Sequence, residues 1–354
     1  MKKIGIITIH SDLHYGAALQ AYGLCAYLRK QGYDAYIINY IKIPNVKYKY
    51  PFPKNIAYSL MNLPRFIRYR KFLKPMVTKR SYKSVEAFQK ISENFDVLCT
   101  GSDQVWNPRC GGLNSINPVY FLDTNKKDYK KISYAASLGA YRYNEHEGHI
   151  ISQWINDYTH ISVREDFTKE EITRVSKYNK FIPVVIDPTF LLNKEEWFPI
   201  CRNIKANNPY ILIYYLDNLP LILKCAQHLK EKTGWQIITM SNKFSKLNGI
   251  DKNIHFCGPR EFLGLIKNAN YILTDSFHGT AFSINFRKNF ASILKSDNPY
   301  RCKNLLNKAG IEERLITTFQ EFINLPIETN YTDINRLETH INESKQTLIT
   351  FIEK

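Results

Sequence analysis

Three features of the sequence predict an α/β fold in which two doubly wound, Rossmann-like domains face a cleft. Short, continuous apolar runs of the kind found in buried parallel strands alternate with stretches of helical periodicity. Polar side chains follow several of these runs, as expected at the carboxyl edge of an open parallel sheet. The chain has 354 residues, 44% of them hydrophobic, which is enough for two packed domains.

The first predicted domain covers residues 1–195 and opens with a strand, a helix that ends at Gly32, and a second strand. The loop before the helix has no Gly-x-Gly-x-x-Gly pattern, so a dinucleotide cofactor is not expected. One or two short helices are expected around Pro64. The predicted strands are 3–9, 34–40, 95–99, 131–135, 160–163 and 184–186, and the predicted helices are 17–30, 55–73, 82–91, 148–158 and 165–175.

A polar stretch at 192–208 is the predicted linker to a second α/β domain, which covers residues 205–320. The predicted strands of this domain are 210–214, 236–240, 254–256, 271–273 and 290–293, and its predicted helices are 219–232, 259–269, 280–286 and 304–308. Residues 330–354 then contain an amphipathic helix over 333–351. We expect this last helix to pack back on the first domain.

The composition favours a protein of the cytoplasm. The seven cysteines are scattered, with no Cys-x-x-Cys pair, which fits reduced thiols better than a disulfide framework. No apolar run reaches the ~18 residues that a membrane-spanning helix needs, and the first run is too short for a signal peptide. His10 and His14 lie at a strand end and in a loop rather than on one helix face, so no metal site is expected there.

The net charge of +17 is concentrated in one segment. Between Lys42 and Lys83 there are twelve Lys or Arg residues, no Asp or Glu, and several aromatic residues. Such a segment can bind an anionic membrane, an anionic glycan or nucleic acid, or it can be the solvated face of an ordinary helix. No nucleic-acid-binding module accompanies it, so nucleic acid is not expected as a partner. We expect salt-sensitive, peripheral contact with the membrane, centred on four cations, Arg65, Arg68, Arg70 and Lys71.

The most informative stretch is 271–283, where an apolar strand is followed by a polar turn and the start of a helix. In doubly wound sheets this junction is where ligands bind, and the N-terminus of the helix favours an anion. Gly279 allows close approach to the backbone, and His278 can donate a proton to a bound phosphate or substrate. The alternative is that His278 only caps the helix or bonds a neighbouring carbonyl.

The residues Asp-Ser-Phe-His-Gly-Thr-Ala-Phe at 275–282 resemble the C-terminal signature of the polysaccharide pyruvyl transferase family. Further stretches resemble the family in the expected order. They are Tyr-Gly-Ala-Ala-Leu-Gln-Ala-Tyr at 15–22, Thr-Gly-Ser-Asp-Gln-Val-Trp-Asn at 100–107, Ile-Ser-Tyr-Ala-Ala-Ser-Leu-Gly at 132–139, and weaker matches at 162–165 and 186–189. The ordered set covers most of the chain, from about residue 4 to about 310.

This resemblance implies a GT-B-like fold and transfer of pyruvate from phosphoenolpyruvate to a sugar, which forms a pyruvate ketal. The acceptor would be a glycan of a bacterial capsule or exopolysaccharide, or its lipid-linked oligosaccharide precursor. Neither a metal ion nor an organic cofactor is required by this chemistry, because phosphoenolpyruvate is a co-substrate. The enol carbon needs a general acid, and the two anionic groups of the donor need cations and N–H donors.

Residue roles are predicted on this basis for both substrates. The catalytic residues would be His278 and Asp103, with Asp103 orienting or deprotonating a sugar hydroxyl. No residue is predicted to bind a metal ion. The predicted donor-binding residues are Arg164, Lys295, Ser276, Gly279, Thr280 and Arg301. The predicted acceptor-binding residues are His14, Gly16, Ser102, Trp106 and Asn107. We further expect Arg164 and Lys295 to meet His278 in the cleft, since all three follow strand ends.

Each role has a simpler structural alternative. Asp103 can serve a turn, Trp106 can belong to the core, and Arg164 can form a surface ion pair. The sequence also departs from the family, which usually has Asn where His14 stands and often has Arg where Ser276 stands. Two other functions therefore remain open, a GT-B glycosyltransferase that uses a nucleotide sugar and a catalytically inactive glycan-binding relative.

Overall fold

The computed structural model describes two compact units. The described residues are 1–41, 52–110, 115–124, 130–204, 208–241, 248–294 and 300–354. The first unit comprises the described residues of Met1–Tyr58, Leu73–Leu191 and His340–Lys354, and the second comprises those of Ser59–Phe72 and Leu192–Thr339. Within the predicted first domain, residues 1–195, the segment Ser59–Phe72 and residues 192–195 group with the second unit.

A parallel sheet forms the centre of the first unit. Its strands are β1 (Lys3–Ile7), β2 (Asp34–Ile37), β3 (Val97–Thr100) and β4 (Lys130–Ser133), in the order β2-β1-β3-β4. All of β3 is buried, which explains its uninterrupted apolar sequence. The strands predicted at 160–163 and 184–186 are reduced to isolated parallel bridges, in which Val163 pairs with Ala136 and with Val184.

Helices cover this sheet. They are α1 (Tyr15–Lys30), α3 (Val85–Ser92), α4 (Glu145–Ile155) and α5 (Asp166–Val175), while α2 (Phe52–Leu73) contributes to both units. Gly32 follows α1 with φ +88, the left-handed conformation that ends helices. The prediction of one or two short helices around Pro64 is corrected, because α2 continues through it. Burial of Asn62, Tyr69 and Phe72 on one side of α2 offsets the cost of the proline.

A six-stranded parallel sheet forms the centre of the second unit. Its strands are β5 (Tyr210–Tyr214), β6 (Gln236–Thr239), β7 (Lys252–Asn253), β8 (Tyr271–Thr274), β9 (Phe290–Ile293) and β10 (Leu315–Ile316), in the order β10-β9-β8-β5-β6-β7. The strand predicted at 254–256 is found two residues earlier, and β10 is not predicted by the sequence. β5 and β8, at the centre, are buried along their whole length.

Part of the predicted linker is one of the helices of the second unit. These helices are α6 (Lys194–Trp197), α7 (Leu219–Thr233), α8 (Pro259–Asn268), α9 (Phe277–Asn285), α10 (Tyr300–Ala309) and α11 (Phe319–Ile323). Within the stretch 192–208, Trp197 is fully buried and its ring meets Phe282 at 5.3 Å. This contact explains why the described part of the stretch is packed rather than a free connection.

The last helix, α12 (Asn335–Glu353), ends within the first unit. Ser344 accepts a hydrogen bond from the Ile186 backbone N–H at 3.0 Å. The side chain of Lys2 donates to Glu353 at 2.7 Å, and the ring of His160 stacks on Phe351 at 4.6 Å. Among the described residues, no helix combines the length and the apolar character needed to cross a bilayer.

A buried arginine fixes the chain that follows β10. Arg314 is 1% exposed, and its guanidinium donates hydrogen bonds to the Phe290 carbonyl at 3.4 Å, to the Pro326 carbonyl at 2.8 Å and to the Glu328 carbonyl. A charged donor that binds carbonyls inside a protein contributes more than a neutral one, and its removal leaves the carbonyls without partners. Arg314 therefore ties the edge of the sheet to the segment that precedes α12.

We expect Arg314→Met to lower the free energy of unfolding by about 3 kcal/mol, because the buried carbonyls lose their donor. Urea denaturation followed by circular dichroism measures this. Arg336→Met, at an exposed position of α12, is the control and should change stability by less than about 0.5 kcal/mol. Equal midpoints for the two variants would show that the Arg314 hydrogen bonds contribute nothing net.

Candidate functional site

The strand–turn–helix junction predicted at 271–283 is present in the second unit. β8 ends at Thr274, and α9 begins at Phe277. Ser276 is the N-cap residue, and its hydroxyl accepts a hydrogen bond from the Gly279 backbone N–H at 3.4 Å. The junction therefore has the local geometry expected of an anion site, in which the first turn of a helix follows the carboxyl end of a central strand.

Gly279 is required at this junction by space. A β-carbon added to Gly279 would lie 2.3 Å from the Thr274 hydroxyl oxygen, far closer than two such atoms can approach. The glycine thus lets the first turn of α9 lie directly against the end of β8. This close approach fixes the height of α9, and with it the position of His278, relative to the sheet.

Asp275 anchors the junction to the neighbouring strand. Its carboxylate accepts hydrogen bonds from three successive backbone N–H groups, those of Leu216 at 2.6 Å, Asp217 at 2.7 Å and Asn218 at 2.7 Å. These residues form the turn between β5 and α7. Hydrogen bonds to a charged acceptor are roughly twice as strong as neutral ones. Asp275 was not among the predicted site residues, and a lone Asp after a strand gives no sign of a partner 58 residues away.

His278 lies in the first turn of α9 and is 4% exposed. Its ring meets Phe277 edge-on at 5.1 Å, and the guanidinium of Arg301 lies over the same Phe277 ring at 5.6 Å. Two of the predicted donor-binding residues, His278 and Arg301, therefore both contact the ring of Phe277. Arg301 comes from the start of α10, so the first turns of α9 and α10 meet here.

Thr280 uses its hydroxyl within the fold. Its oxygen lies 2.8 Å from the Ser292 hydroxyl of β9 and 3.9 Å from the Cys302 sulfur of α10. This places Thr280 as a link between α9, β9 and α10 rather than as a group directed only at a ligand. Lys295, the other cation predicted near His278, lies outside the described residues.

The charge of Arg65, in α2, also acts on Tyr214 of β5. Burial raises the pKa of Tyr214 to about 12, while its hydrogen bond with Ser276 and the charge of Arg65 act in the opposite direction. Arg65 stacks on Tyr69 at 5.4 Å, within the part of α2 that belongs to the second unit. Sequence analysis placed Arg65 among membrane-facing cations. Nothing in the local sequence could reveal its proximity to β5, because the contact arises only from tertiary packing.

The predicted residues of the first unit gather at the carboxyl ends of β1 and β3. Thr8 donates a hydrogen bond to the Ser102 carbonyl at 2.8 Å, and Gln20 of α1 donates to the Thr8 hydroxyl at 2.8 Å. Gln20 also donates to the Ile9 carbonyl at 3.2 Å. This buried network was not foreseen, and it explains a polar residue at a fully buried position of α1.

His14 and Gly16 stand at the start of α1. His14 is the N-cap residue, and its ring nitrogen Nδ1 accepts from the Ala17 backbone N–H at 3.4 Å. Gly16 is buried in the first turn of the helix. Both residues therefore shape the β1–α1 junction, the counterpart in the first unit of the β8–α9 junction.

Asp103 has an unusual backbone conformation, with φ +75. Aspartate tolerates this left-handed region better than most residues, because its short side chain can bond locally. Here Oδ1 of Asp103 accepts from the Gln104 backbone N–H at 2.9 Å, and the Asp103 carbonyl accepts from the Ser137 N–H at 3.1 Å. Asp103 thus serves the turn that was weighed as its alternative role.

Arg164 is buried and paired with two carboxylates. Its Nε donates to Glu165 at 2.7 Å, and its Nη1 donates to Asp187 at 2.9 Å and to the Ser102 hydroxyl at 3.4 Å. Burial lowers the pKa of the guanidinium, but the charges of Glu165, Asp187 and Asp103 outweigh it and raise the pKa. The structure therefore brings Arg164 together with Ser102 and Asp103. Because its charge is already compensated, this geometry favours a role in positioning over a direct grip on an anion.

Trp106 is a core residue, which corrects its prediction as a sugar platform. Its ring is 1% exposed, stacks on Phe121 at 5.8 Å and meets Tyr158 edge-on, and Nε1 donates to the Tyr120 carbonyl at 3.1 Å. Asn107 donates to the Gln104 side chain at 2.8 Å. Trp106 and Asn107 also line a small cavity of about 10 Å³, roughly the space that one water molecule needs.

No group of three or more His, Cys, Asp or Glu side chains is arranged to hold a metal ion in the part of the chain that the structure describes. All seven cysteines are free thiols, and five of them are buried. Burial raises the pKa of the Cys25 thiol to about 11 and that of Cys99 to about 12, so neither is activated as a nucleophile.

Comparison with known proteins identifies both the fold and a family. The sequence model described as polysaccharide pyruvyl transferase matches residues 14–296, well over half of the chain. None of the curated proteins matches the sequence. The matched residues 14–296 include both strand-to-helix junctions, β1–α1 and β8–α9, and extend beyond the end of β9.

Solved structures similar to the chain include three UDP-GlcNAc 2-epimerases. The enzyme of Neisseria meningitidis, bound to UDP-GlcNAc, has a TM-score of 0.55 at 12% identity, with 99% of each chain covered. The enzyme of Rickettsia bellii has a TM-score of 0.55 at 11% identity, with 99% of this chain and 96% of the other covered. That of Methanocaldococcus jannaschii has a TM-score of 0.51 at 15% identity, with 96% of this chain and 99% of the other covered. The likeness confirms the predicted fold class of two Rossmann-like halves and concerns the fold alone.

We expect Asp275→Asn to lower the free energy of unfolding by about 2–3 kcal/mol, because the amide presents N–H groups to backbone donors where the carboxylate accepted from them. Chemical denaturation measures the loss. Asp217→Asn, in the same turn but with an exposed side chain, is the matched control and should stay within about 0.5 kcal/mol of the parent. If the two variants were equally stable, the three hydrogen bonds would not be what holds the β5–α7 turn.

Proposed function

The chain belongs to the polysaccharide pyruvyl transferase family, and from this premise we propose that it transfers pyruvate from phosphoenolpyruvate to a sugar, forming a pyruvate ketal. The acceptor is a glycan of a bacterial capsule or exopolysaccharide, or its lipid-linked precursor. One observation carries the assignment of the donor site, the placement of His278 in the first turn of α9 with Arg301 against the same aromatic ring.

Phosphoenolpyruvate carries a phosphate and a carboxylate, so its site must supply positive charge and N–H donors. The N-terminus of α9 supplies backbone N–H groups and the positive end of the helix dipole. Arg301 adds a cation from α10, and Arg65, whose charge acts on Tyr214, is proposed to add a second. Arg65 is thus proposed to compensate for Ser276, which stands where many family members have an arginine. Gly279 lets this first turn lie directly against the end of β8.

The reaction requires a proton on the methylene carbon of the donor. We assign this general acid role to His278, which is protonated before the step and neutral after it. Protonation makes the neighbouring carbon cationic, and one sugar hydroxyl then adds to that carbon. Departure of the phosphate regenerates the cation, and the second hydroxyl closes the ketal. Two hydroxyl protons are released in total; one replaces the proton given by His278, and the other leaves with phosphate.

The first unit is proposed to provide the acceptor side. Asp103 follows β3 and is proposed to orient a sugar hydroxyl, supported by the left-handed backbone that fixes its turn. Ser102 and Asn107 lie on the same loop, and His14 and Gly16 begin α1. Arg164, through its pairs with Glu165 and Asp187, is proposed to hold Ser102 in place.

We expect the purified chain to release inorganic phosphate from phosphoenolpyruvate only when a suitable lipid-linked oligosaccharide is present. Mass spectrometry of the acceptor should show the gain of one pyruvate ketal. Nucleotide sugars offered in place of phosphoenolpyruvate are the control and should leave the acceptor unchanged. Transfer of a sugar instead would identify a glycosyltransferase, and acceptor binding without any transfer would identify a glycan-binding relative.

We expect His278→Gln to reduce turnover by a factor of ~10²–10⁴, since glutamine keeps the polar contacts but cannot donate a proton as a general acid. Phosphate release at saturating phosphoenolpyruvate measures turnover. His228→Gln, a half-buried histidine of α7 packed against Phe319, is the control in the same unit and should retain activity. Full turnover by a folded His278→Gln variant would exclude His278 as the acid.

A further inference from the structure

The stretch from Leu60 to Ile67 in α2 exposes five large apolar side chains to solvent. Leu60, Met61, Leu63, Phe66 and Ile67 are exposed to 64%, 46%, 47%, 44% and 52%. Nine large hydrophobic residues are this exposed among the described residues, and five of them lie within eight consecutive positions of this helix. Single exposed apolar side chains need no explanation, but a contiguous group of them marks an interaction surface.

The opposite side of α2 is held by the second unit, so the helix cannot turn its apolar side inward. Tyr69 and Phe72 are 4% and 7% exposed. Arg68 donates to the Phe256 carbonyl at 2.9 Å and lies 3.6 Å from the Glu261 carboxylate. Arg65 lies over the Tyr69 ring at 5.4 Å, so two of the four cations predicted as membrane contacts are engaged within the protein.

The other two cations continue the exposed side. Residues spaced by three, four and seven lie on one face of a helix. By this spacing Leu60, Leu63 and Ile67 share a face with Arg70 and Lys71, both of which are exposed. The face is therefore apolar in its first half and basic in its second. No Asp or Glu occurs anywhere between Lys42 and Lys83.

We propose that this face of α2 docks on the surface of an anionic lipid bilayer. Leu60, Leu63 and Ile67 enter the boundary between headgroups and acyl chains, and Arg70 and Lys71 contact the anionic headgroups. The helix lies in the plane of the interface and does not span the membrane, in keeping with its length and composition.

The positive charge of this face favours a bilayer over a second copy of the chain as its binding partner. A second copy of the same face would bring Arg70 and Lys71 against their own kind, with no acid on the helix to offset them. A bilayer supplies both an apolar layer and a dense anionic layer above it, in the order that the face presents. The proposal concerns binding only, and it goes beyond the transfer reaction without resting on it.

The test is sedimentation of the full chain with vesicles, in the absence of donor and acceptor. Vesicles of phosphatidylcholine with phosphatidylglycerol should bind the protein at low salt, and pure phosphatidylcholine vesicles should bind it far less. Leu63→Ser/Ile67→Ser should weaken binding to the anionic vesicles about tenfold or more. Arg70→Gln/Lys71→Gln should weaken it about 25-fold, or roughly fivefold per charge, and should abolish most of the salt dependence.

Matched controls separate this face from the rest of the surface. Phe181→Ser removes an apolar side chain that is 78% exposed in the first unit. Lys232→Gln/Arg336→Gln removes the same charges from exposed positions elsewhere in the second unit. Both control variants should bind vesicles as the parent does, and the thermal midpoints of all variants should match.

Three outcomes would overturn the proposal. They are equal binding to neutral and anionic vesicles, losses in the control variants as large as those in α2, and self-association that Leu63→Ser/Ile67→Ser abolishes in analytical ultracentrifugation. The last outcome would assign the face to a second copy of the chain. Since no substrate is present, a failure here leaves the phosphate-release assay of the transfer reaction untouched, and the converse also holds.

Discussion

The carboxylate of Asp275 accepts three successive backbone hydrogen bonds from the β5–α7 turn, and the candidate donor site depends on this interaction. Asp275 is the residue that connects the end of β8 to the start of α9. It therefore fixes the central two strands of the sheet to one another at the edge where ligands bind. The close packing of Gly279 on Thr274 sets the remaining degree of freedom, the height of α9. The backbone of His278 is thus fixed on both sides, by Asp275 before it and by Gly279 after it.

In the first unit, neutral groups join the carboxyl ends of the neighbouring strands. There the ends of β1 and β3 are joined through Thr8, Gln20 and the Ser102 carbonyl. Its one buried cation in this region, Arg164, is balanced by Glu165 and Asp187. Pairing with the two carboxylates offsets part of the desolvation cost of the buried guanidinium and leaves it little attraction for a further anion. In the second unit, Arg301 and Arg65 lie over aromatic rings, those of Phe277 and Tyr69.

Elements with a strong local signal were predictable from the sequence. The buried strands β1, β3, β5 and β8 and the junction at His278 carry continuous apolar runs followed by capping residues, and the structure confirms them. The short edge strands β7 and β10 have two residues each, too few for periodicity to register. Trp106 looked like a sugar platform because its neighbours are polar, but those polar groups bond to one another beneath a buried ring. Arg65 and Gln20 could not be assigned, since their partners are set only by tertiary packing.

The helix α2 shows how one element can serve two environments. Residues two apart on an α-helix point to nearly opposite sides, so Arg65 is directed into the second unit while Ile67 is exposed. Pro64, at the boundary between these sides, removes one N–H from the helix, and the fold compensates by burying Tyr69 and Phe72. The exposed face makes no contribution to the packed core, so its apolar and basic character needs another explanation. Of the four cations in this helix, Arg65 and Arg68 therefore make contacts within the second unit, while Arg70 and Lys71 are exposed.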